Sequence, residues 1–389
     1  MLNRISAAQL SFEIDTNEPV SRAEDVLLFE IMHRDLVVAT ISERGEVLIY
    51  NEEFMPFDLN LVESDAYDDR IGNTTEFQHW CASRMLSLDR THAKAILNAI
   101  GASQNPTDAD RADIALSCHC VSLIDVHWVR EAGEEISFDQ INLFDNSLNE
   151  AIVELSLRGK SLTVTNMELV TPKDVAPDLS TRGLFPKAWI RKNGTFVLLK
   201  DGGTDVVRRE LLASCICQCF DIPQVIYESG FFQGVPVTCS KIVTSKSRSI
   251  VPMRAYERYC DEREMDCLKE VKRLDPVAYY GMNIMDYLTG NTDRHWENWG
   301  LLVDNETNTP ISLHPLMDFN KCFDAYESLN GAKCLTCGKR HMSQREAAIE
   351  AVKVIGLRQI REVDISLFGD HADEAEMFLC RLEELRKFE

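Results

Sequence analysis

The sequence predicts an α+β fold whose second half forms two lobes, a small β-rich lobe and a larger α-helical lobe, with an additional α/β region before them. Residues 187–253 contain strand patterns separated by turn signals and by one helix. From residue 256 onward, apolar residues recur mostly at helical spacing, with one polar loop inside. A cleft between two such lobes is a common ligand site, so we expect functional residues there.

We expect four consecutive regions along the chain. They are an N-terminal β-rich region (1–75), a mixed helical and short-strand region (76–178), the small lobe (179–250) and the helical lobe (251–389). The polar, proline-containing stretch "PKDVAPDLSTRG" separates the second region from the third and is the best candidate for a linker.

The first elements are predicted from alternation and helical periodicity. Residues 28–50 alternate and carry a turn signal at 43–45, which predicts a hairpin or a short meander. Residues 74–101 have helical spacing, with a second helix beginning at Asp89 and ending at Gly101.

Three further segments precede the small lobe. The polar stretch 104–113 is interpreted as a loop, and residues 122–146 as short strands and turns. Residues 160–182 are expected to be extended.

The small lobe begins with a clear hairpin signal. Strands in 187–203 flank the turn Lys192-Asn193-Gly194, and Asn-Gly is a preferred hairpin turn. An amphipathic helix follows at 208–222, and two more strands follow in 234–253.

Two terminal helices are predicted in the helical lobe. One helix begins at a capping box of Ser343 and Glu346 and ends at Gly356, and the last helix covers 373–389.

Composition excludes several classes of protein. The 389-residue chain has a net charge of −22, so no direct binding of nucleic acid is expected. No apolar run is long enough to cross a membrane, and "MLNRISAAQLSFEID" lacks a signal-peptide core. The 13 cysteines form no disulfide framework, which predicts reduced thiols in a cytoplasmic protein.

The stretch "DYLTGNTDRHWENWGLLVD" carries the strongest functional signal. Asp293 precedes Asn298 by five residues, the spacing of the catalytic Asp and the metal-binding Asn in protein kinases. Two strands joined by the turn "NETNTP" follow, and this geometry returns Asp318 to a position next to Asn298. Carboxylate and amide oxygens are ligands that suit Mg²⁺.

The small lobe supplies the remaining groups that phosphoryl transfer needs. Lys200 closes the strand "FVLLK", and Glu210 lies near the start of the following helix, where a strand–helix ion pair would form. Lys200, Glu210, Asp293, Asn298 and Asp318 occur in the order, and on the elements, that their roles require.

These motifs resemble those of the HipA-like kinases. The resemblance is carried by "GNTDRHWENWGLL", "PLMDFNKCF" and "DLSTRGLFPKAWI", and it extends over roughly residues 80–330 by element order. The D-R-H…N pattern is also shared with the phosphatidylinositol 3/4-kinase group. The resemblance implies a protein-kinase-like fold, dependence on ATP and Mg²⁺, and transfer to a Ser or Thr hydroxyl of a protein.

The resemblance also implies roles for individual residues. Lys200 would contact the nucleotide phosphates and Glu210 would orient it. Asp293 would be the catalytic carboxylate, and Asn298 and Asp318 would hold Mg²⁺.

Further residues would complete the site. His295 would support the catalytic loop, and packing beneath Asp318 is one way in which it could do so. Ser180, Thr181 and Gly183 would cover the phosphates, with Ser180 as a candidate for autophosphorylation. Lys187 would also contact ATP and is the next candidate for the phosphate-binding lysine.

The adenine-binding hinge should fall near Lys241, Ile242 and Val243. A HipA-type protein also implies an antitoxin-type partner.

Two departures from the kinase pattern leave activity open. The metal-binding motif has Asn320 in place of its usual glycine, and the loop 178–187 has one glycine where typical kinases have three. A pseudokinase that binds nucleotide, or a kinase of lipids or small molecules, therefore remains an alternative.

Simpler interpretations remain for single residues. Asp293, Arg294 and His295 could form a helix end with a surface ion pair, Lys200 could be an ordinary exposed lysine, and Glu210 a carboxylate favoured by the helix dipole.

A zinc site is a further possibility. Cys334, Cys337 and His341 have ligand chemistry that suits zinc, with Cys322 nearby in the sequence, but a second Cys/His pair at standard spacing is missing.

Overall fold

The computed structural model describes residues 26–145, 150–159, 184–324, 328–357 and 363–389. The strands in this part of the chain are β1 (Leu28–His33), β2 (Leu36–Ser42), β3 (Val47–Ile49), β4 (His127–Glu131), β5 (Lys187–Lys192), β6 (Thr195–Lys200), β7 (Tyr227–Phe232), β8 (Val235–Lys241), β9 (Arg248–Pro252), β10 (Gly300–Asp304) and β11 (Thr309–Leu313). The α-helices are α1 (Tyr67–Ser83), α2 (Ala93–Ala99), α3 (Asp108–Ser117), α4 (Phe138–Ile141), α5 (Glu150–Arg158), α6 (Thr204–Gln218), α7 (Met253–Glu262), α8 (Cys267–Leu274), α9 (Pro276–Thr289), α10 (Gln344–Ile355) and α11 (Ala372–Arg386).

The N-terminal unit is an antiparallel sheet packed against helices. Its strands lie in the order β3-β2-β1-β4, and the expected meander is formed by β1, β2 and β3. Ile31 of β1, Trp80 of α1 and Trp128 of β4 are buried in one core. Because sheet and core both extend across residue 75, the segments on either side of that expected boundary form one structural unit.

One predicted loop is a helix. The polar stretch 104–113 contains the first half of α3, which begins after Thr107. The Thr107 hydroxyl accepts a hydrogen bond from the Asp110 backbone N–H, and the Asp110 carboxylate accepts one from the Thr107 backbone N–H. This capping box satisfies backbone donors that would otherwise be unpaired, so a polar sequence can begin a helix there. The expected extended segment 160–182 lies outside the described residues.

The small lobe is built on the sheet β5-β6-β8-β7, with α6 packed on β7 and β8. The predicted hairpin turn is present, since Asn193 and Gly194 have φ of 52° and 79° and join β5 to β6. Both residues are therefore in the left-handed region that this tight turn requires. Strand β7, which the sequence analysis did not identify, pairs with β8.

The larger lobe is mostly helical and encloses α9, which is buried along most of its length. A three-stranded sheet, β11-β10-β9, lies beside these helices. Strand β9 pairs with β10 rather than with the small-lobe sheet, so the crossing between lobes lies in residues 242–247. The predicted capping box of Ser343 and Glu346 begins α10.

The N-terminal unit is attached along this crossing. The Thr244 hydroxyl donates to the Leu123 carbonyl, and the Ile250 N–H donates to the Ile124 carbonyl at 2.8 Å. Arg90, also from the N-terminal unit, donates to the carbonyl of Lys187 in β5. The N-terminal unit thus holds the small lobe and the crossing together. Among the described helices, none has the length and apolar character needed to cross a membrane.

Candidate active site

The loop between α9 and β10 carries Asp293 and Asn298. Helix α9 ends at Gly290, whose φ of 64° turns the chain out of the helix. The Asp293 backbone N–H donates to Asn291 Oδ1 at 3.1 Å, and Asn298 Nδ2 donates to the Asp293 carbonyl at 2.8 Å. Because its nitrogen is engaged, the oxygen is the end of the Asn298 amide that can serve as a ligand.

Asp318 follows β11 in a distorted backbone conformation. Its φ is 59°, a left-handed value that Asp and Asn adopt more readily than most residues. Its N–H donates to the Tyr227 hydroxyl at 3.0 Å, and the buried Phe319 ring packs edge-on against Tyr227 with ring centroids 5.9 Å apart. A contact from β7 therefore fixes the backbone at Asp318.

Lys200 joins the two lobes through a pair of carboxylates. Its Nζ lies 2.9 Å from Glu210 Oε1 in α6 and 2.5 Å from Asp318 Oδ1 in the larger lobe. The other Glu210 oxygen accepts from the Thr238 hydroxyl at 2.8 Å. Lys200 and Glu210 are buried, and the structure forms the strand–helix ion pair that the sequence predicts.

The charges of this cluster stabilise one another. Burial alone would lower the pKa of Lys200, but Asp318 and Glu210 offset that effect and raise it above its usual value. Burial likewise opposes ionisation of Asp318, yet Lys200 and then Lys187 lower its pKa to about 2. The lysine is therefore charged and Asp318 ionised at neutral pH.

Lys187 lies directly opposite Lys200 in the β5–β6 ladder. It is buried, and burial together with the nearby positive charge of Lys200 lowers its pKa to about 7. Two lysines on adjacent strands thus contribute to the same charged cluster as Asp318.

Arg294 is a structural residue that the sequence analysis did not single out for a site role. It is buried, and its guanidinium contacts the buried Asp286 of α9, with Nε 3.1 Å from Oδ2. It also donates to the backbone carbonyls of Asn298, at 3.0 Å, and of Met317. One side chain therefore fixes both backbone segments that carry the candidate metal ligands.

His295 does not pack beneath Asp318, contrary to the expectation. About 46% of its side chain is exposed, and its Nε2 lies 3.8 Å from Asp293 Oδ1. Arg294 instead packs against Phe319, the residue after Asp318. Its guanidinium carbon lies 5.7 Å from the centroid of the Phe319 ring. Because a guanidinium can donate to several carbonyls at once, Arg294 suits the supporting position better than an imidazole.

Asn320 stands where protein kinases usually have a glycine, in the turn that begins at Asp318. The left-handed residue of this turn is Asp318 itself, while Asn320 is buried and is not among the residues with positive φ. A glycine is therefore not required at position 320 for backbone reasons.

Asp293 is partly buried beside the cluster. Burial raises the pKa of its carboxyl, and the negative charge of Asp318 adds to this rise, while His295 opposes it. A carboxylate of raised basicity next to the charged cluster of Lys200, Glu210 and Asp318 is chemically suited to orient a hydroxyl and accept its proton.

The remaining predicted nucleotide contacts are only partly described. Ser180, Thr181 and Gly183 lie outside the described residues. Phe185, two residues after Gly183, has its ring centroid 5.7 Å from Lys200 Nζ.

The predicted hinge lies at the end of β8. Lys241 is its last residue, and the N–H of Ile242 donates to the Phe196 carbonyl at 3.0 Å, so Val243 is the first residue beyond the sheet hydrogen bonds. The hinge segment therefore begins the crossing between the lobes.

The zinc interpretation lacks a third ligand. Cys334 and Cys337 are buried together, but His341 is exposed, and the described residues contain no group of three His, Cys, Asp or Glu side chains that could hold a metal ion. The oxygens of Asn298 and Asp318 do fit Mg²⁺, which is commonly bound by one or two protein oxygens together with substrate phosphates.

Comparison with known proteins supports the fold. No protein-family model and no curated protein matches the chain. The chain is similar to HipA of Shewanella oneidensis MR-1, whose structure is that of a toxin–antitoxin system with HipB and operator DNA. The TM-score is 0.53 at 13% identity, and the match covers 92% of this chain and 99% of that chain. It also matches the Helicobacter pylori proinflammatory kinase CtkA, with a TM-score of 0.41 and 15% identity over 52% of this chain and 90% of that one.

At these identities the comparison concerns the fold. The nearly complete overlap with HipA confirms both the α+β bilobal fold and the resemblance seen in the motifs. The chain has a HipA-like fold.

Proposed function

We propose that this protein is a kinase that uses ATP and Mg²⁺ to phosphorylate a Ser or Thr hydroxyl of a protein. The observation that carries the proposal is the buried contact of Lys200 with Glu210 and Asp318, beside the loop of Asp293 and Asn298. A plain surface lysine would not be buried between two carboxylates from different lobes, because burying a charge is costly unless it is paired.

Each group has a role in phosphoryl transfer. Lys200 would neutralise the phosphates while Glu210 holds the ammonium in place. The carboxylate of Asp293 would orient the acceptor hydroxyl and accept its proton as the new O–P bond forms, while the bond from the γ-phosphorus to the bridging oxygen breaks and ADP leaves. Positioning and electrostatics of this kind account for most of the catalysis of phosphoryl transfer.

Asn298 and Asp318 would hold Mg²⁺. The ion would neutralise charge on the β- and γ-phosphate oxygens. Arg294 would keep the two ligands at a fixed separation, because it binds the backbone carbonyl of Asn298 and that of the residue before Asp318.

The experiment is incubation with γ-labelled ATP, with the protein alone and with a cell lysate, in Mg²⁺ and in EDTA. We expect protein to be labelled in Mg²⁺ but not in EDTA. After hydrolysis, the label should be on phosphoserine or phosphothreonine. The proposal that the acceptor is a protein rests on the likeness to HipA-type kinases. A lipid extract is therefore included as a third acceptor.

Three other outcomes would each correct the proposal. Tight binding of Mg-ATP without labelling of any acceptor would indicate a pseudokinase. Label in the lipid fraction alone would indicate a lipid kinase. Equal ATP binding in Mg²⁺ and in EDTA would contradict the roles of Asn298 and Asp318.

We propose further that the protein pairs with an antitoxin-type partner in the cytoplasm. The support is the structure of the Shewanella HipA with HipB and operator DNA. With a net charge of −22, this chain would reach DNA through such a partner rather than by itself. Co-expression with the protein encoded next to it, followed by gel filtration, would give a joint peak; separate elution would contradict the pairing.

A further inference from the structure

Two cysteine thiols lie in contact within one turn of the larger lobe. The Sγ atoms of Cys334 and Cys337 are 3.2 Å apart, and both side chains are buried. Leu335, between them in sequence, is 37% exposed, so the pair lies just beneath the surface. Since a disulfide needs an S–S distance of about 2.0 Å, the two sulfur atoms would have to approach each other by only about 1.2 Å to form it.

The two thiols differ in acidity. The hydrogen bond between the two thiols lowers the pKa of Cys337 to about 6, against the effect of burial, and the Arg340 guanidinium adds to this lowering. The same hydrogen bond raises the pKa of Cys334. Because the thiolate is the reactive form of cysteine, Cys337 is the nucleophile of the pair at neutral pH.

The turn that carries these cysteines contacts the catalytic loop and α9. The Trp296 indole N–H, in the loop, donates to the Leu335 carbonyl at 2.8 Å. The Thr336 hydroxyl donates to Asn283 Oδ1 in α9, and Cys334 Sγ lies 3.5 Å from the same oxygen. A change in the turn is therefore transmitted to both elements that position Asp293.

A second connection runs through α10, just after the turn. Gln344 Nε2 donates to the Asn291 carbonyl at 2.5 Å, and the Asn291 side chain holds the backbone of Asp293. Gln344 Oε1 accepts from the Ala332 N–H at 2.9 Å, next to the turn. The catalytic loop is thus tied to both ends of the segment that carries the thiols.

We propose that Cys334 and Cys337 form a redox modification site that is oxidised to a disulfide by hydroperoxides and thereby lowers phosphoryl transfer. This regulation rests on the proposed kinase function, whereas the thiol chemistry does not. With no third ligand for a metal among the described residues, a dithiol is the chemistry that this pair supports.

The chemistry balances with hydrogen peroxide as the oxidant. The Cys337 thiolate attacks one peroxide oxygen, the O–O bond breaks, and a sulfenic acid forms while hydroxide leaves and takes a proton to become water. The Cys334 thiol then attacks the Cys337 sulfur, the S–O bond breaks, and a second water leaves. Two thiols are oxidised to one disulfide as one peroxide is reduced to two waters.

The first test reads the thiols directly. Lys333 and Lys339 flank the pair, so trypsin releases the peptide "CLTCGK", which contains both cysteines and no others. After treatment of the folded protein with peroxide, alkylation and digestion, this peptide should appear unalkylated and lighter by two hydrogen atoms. Dithiothreitol should restore the doubly alkylated form.

Two variants serve as controls. Cys337→Ser should abolish the oxidised peptide, whereas Cys380→Ser, which removes an exposed thiol on α11, should leave it unchanged. If the peptide stays doubly alkylated after peroxide while the exposed Cys380 is oxidised, the proposed site does not exist.

The second test reads the coupling to the catalytic loop. In the wild type, oxidation should lower kcat for labelled phosphate transfer several-fold and increase hydrogen exchange in the peptide that covers 290–298. Both effects should be absent in Cys337→Ser and reversed by dithiothreitol. An oxidised peptide together with unchanged hydrogen exchange and unchanged kcat would overturn the proposal that the disulfide lowers phosphoryl transfer.

Hydrogen exchange separates this proposal from the kinase proposal. If the protein transfers no phosphate in either redox state, the kinase function fails, but the exchange of residues 290–298 still shows whether the thiol pair controls the loop. If the peptide is oxidised but hydrogen exchange in residues 290–298 is unchanged, the disulfide does not control the loop, and this result requires no measurement of activity.

Discussion

Lys200 is held between carboxylates of two lobes, so its removal would affect stability as well as the proposed nucleotide binding. In Lys200→Ala, Glu210 and Asp318 would lose their shared cation, and breaking a buried ion pair costs about 3–5 kcal/mol. We therefore expect loss of phosphate transfer together with a lower free energy of unfolding in urea. The exposed Lys192→Ala, at the end of the neighbouring strand, should change that free energy by less than about 0.5 kcal/mol.

A change in stability for Lys200→Ala as small as that for Lys192→Ala would show that the three charges are not coupled in solution.

The sequence places Lys200 and Glu210 on the correct elements, but it cannot show that Asp318 approaches the lysine from the other lobe.

Lys187 should make stability depend on pH. Its pKa is lowered from 10.5 to about 7 in the folded protein, so between these values the unfolded chain binds more protons than the folded chain. The buried charge of Lys187 destabilises the folded protein fully below pH 7. This destabilisation disappears as the pH rises towards 10.5, because the lysine is then neutral in both states. Its contribution to the free energy of unfolding should thus increase with pH, by at most about 1.4 kcal/mol per pH unit.

Urea unfolding of the wild type and of Lys187→Met across this interval measures the effect. The wild-type stability should rise relative to that of the variant as the pH increases. Parallel pH profiles for the two proteins would mean that Lys187 is not buried as described. Lys192→Met, which removes an exposed lysine of the same strand, should leave the profile unchanged.

At the level of secondary-structure elements, Arg294 connects α9, the loop between α9 and β10, and the segment before Asp318. Arg294→Met should destabilise the protein by about 3–5 kcal/mol, because it leaves Asp286 buried without its cation. It should also abolish transfer, because the backbone at Asn298 and Met317 loses a common donor.

A double-mutant cycle with Asp286→Asn isolates this connection. The two changes together should cost clearly less than the sum of their separate effects, since each removes the same ion pair. Additive losses in urea unfolding would show that the pair contributes no coupling. Arg254→Met, at a largely exposed arginine of α7, is the matched control.

Elements with strong local signals were predictable. The Asn193-Gly194 turn and the capping box at Ser343 each satisfy local geometry, so the sequence alone specifies them. Helix α3 has the same type of cap at Thr107 but is polar overall, and its buried face, Ala112 and Ala115, is too small to stand out.

The supporting residue of the site was harder to find than its catalytic candidates. Asp286 is the only charged residue in α9, and a lone carboxylate in a buried helix requires a partner. That signal could have identified Arg294 instead of His295, but the pairing itself depends on how the loop folds back onto the helix.

For the whole molecule, the motifs predict the two lobes but not the position of the N-terminal unit. Motif spacing reports on the site, whereas the contacts of Thr244 and Ile250 with residues 123–124 join segments far apart in sequence, and their acceptors are backbone carbonyls. Every residue type offers such groups, so the sequence carries little sign of this attachment.

In the proposed reaction, the two lobes bring ATP and an acceptor hydroxyl together at Asp293. The variant Asp293→Asn tests this arrangement, with calorimetric binding of Mg-ATP measured beside transfer of labelled γ-phosphate. Glu297→Gln, an exposed carboxylate change in the same loop, is the matched control and should leave both measurements unchanged. Asp318→Asn should weaken metal-dependent ATP binding as well as transfer.

For Asp293→Asn, we expect nearly wild-type affinity for Mg-ATP and a fall in transfer of at least about a hundredfold, because general-base catalysis acts in the transition state. Transfer at the wild-type rate by Asp293→Asn, with ATP still bound, would contradict the assignment of this loop as the catalytic loop.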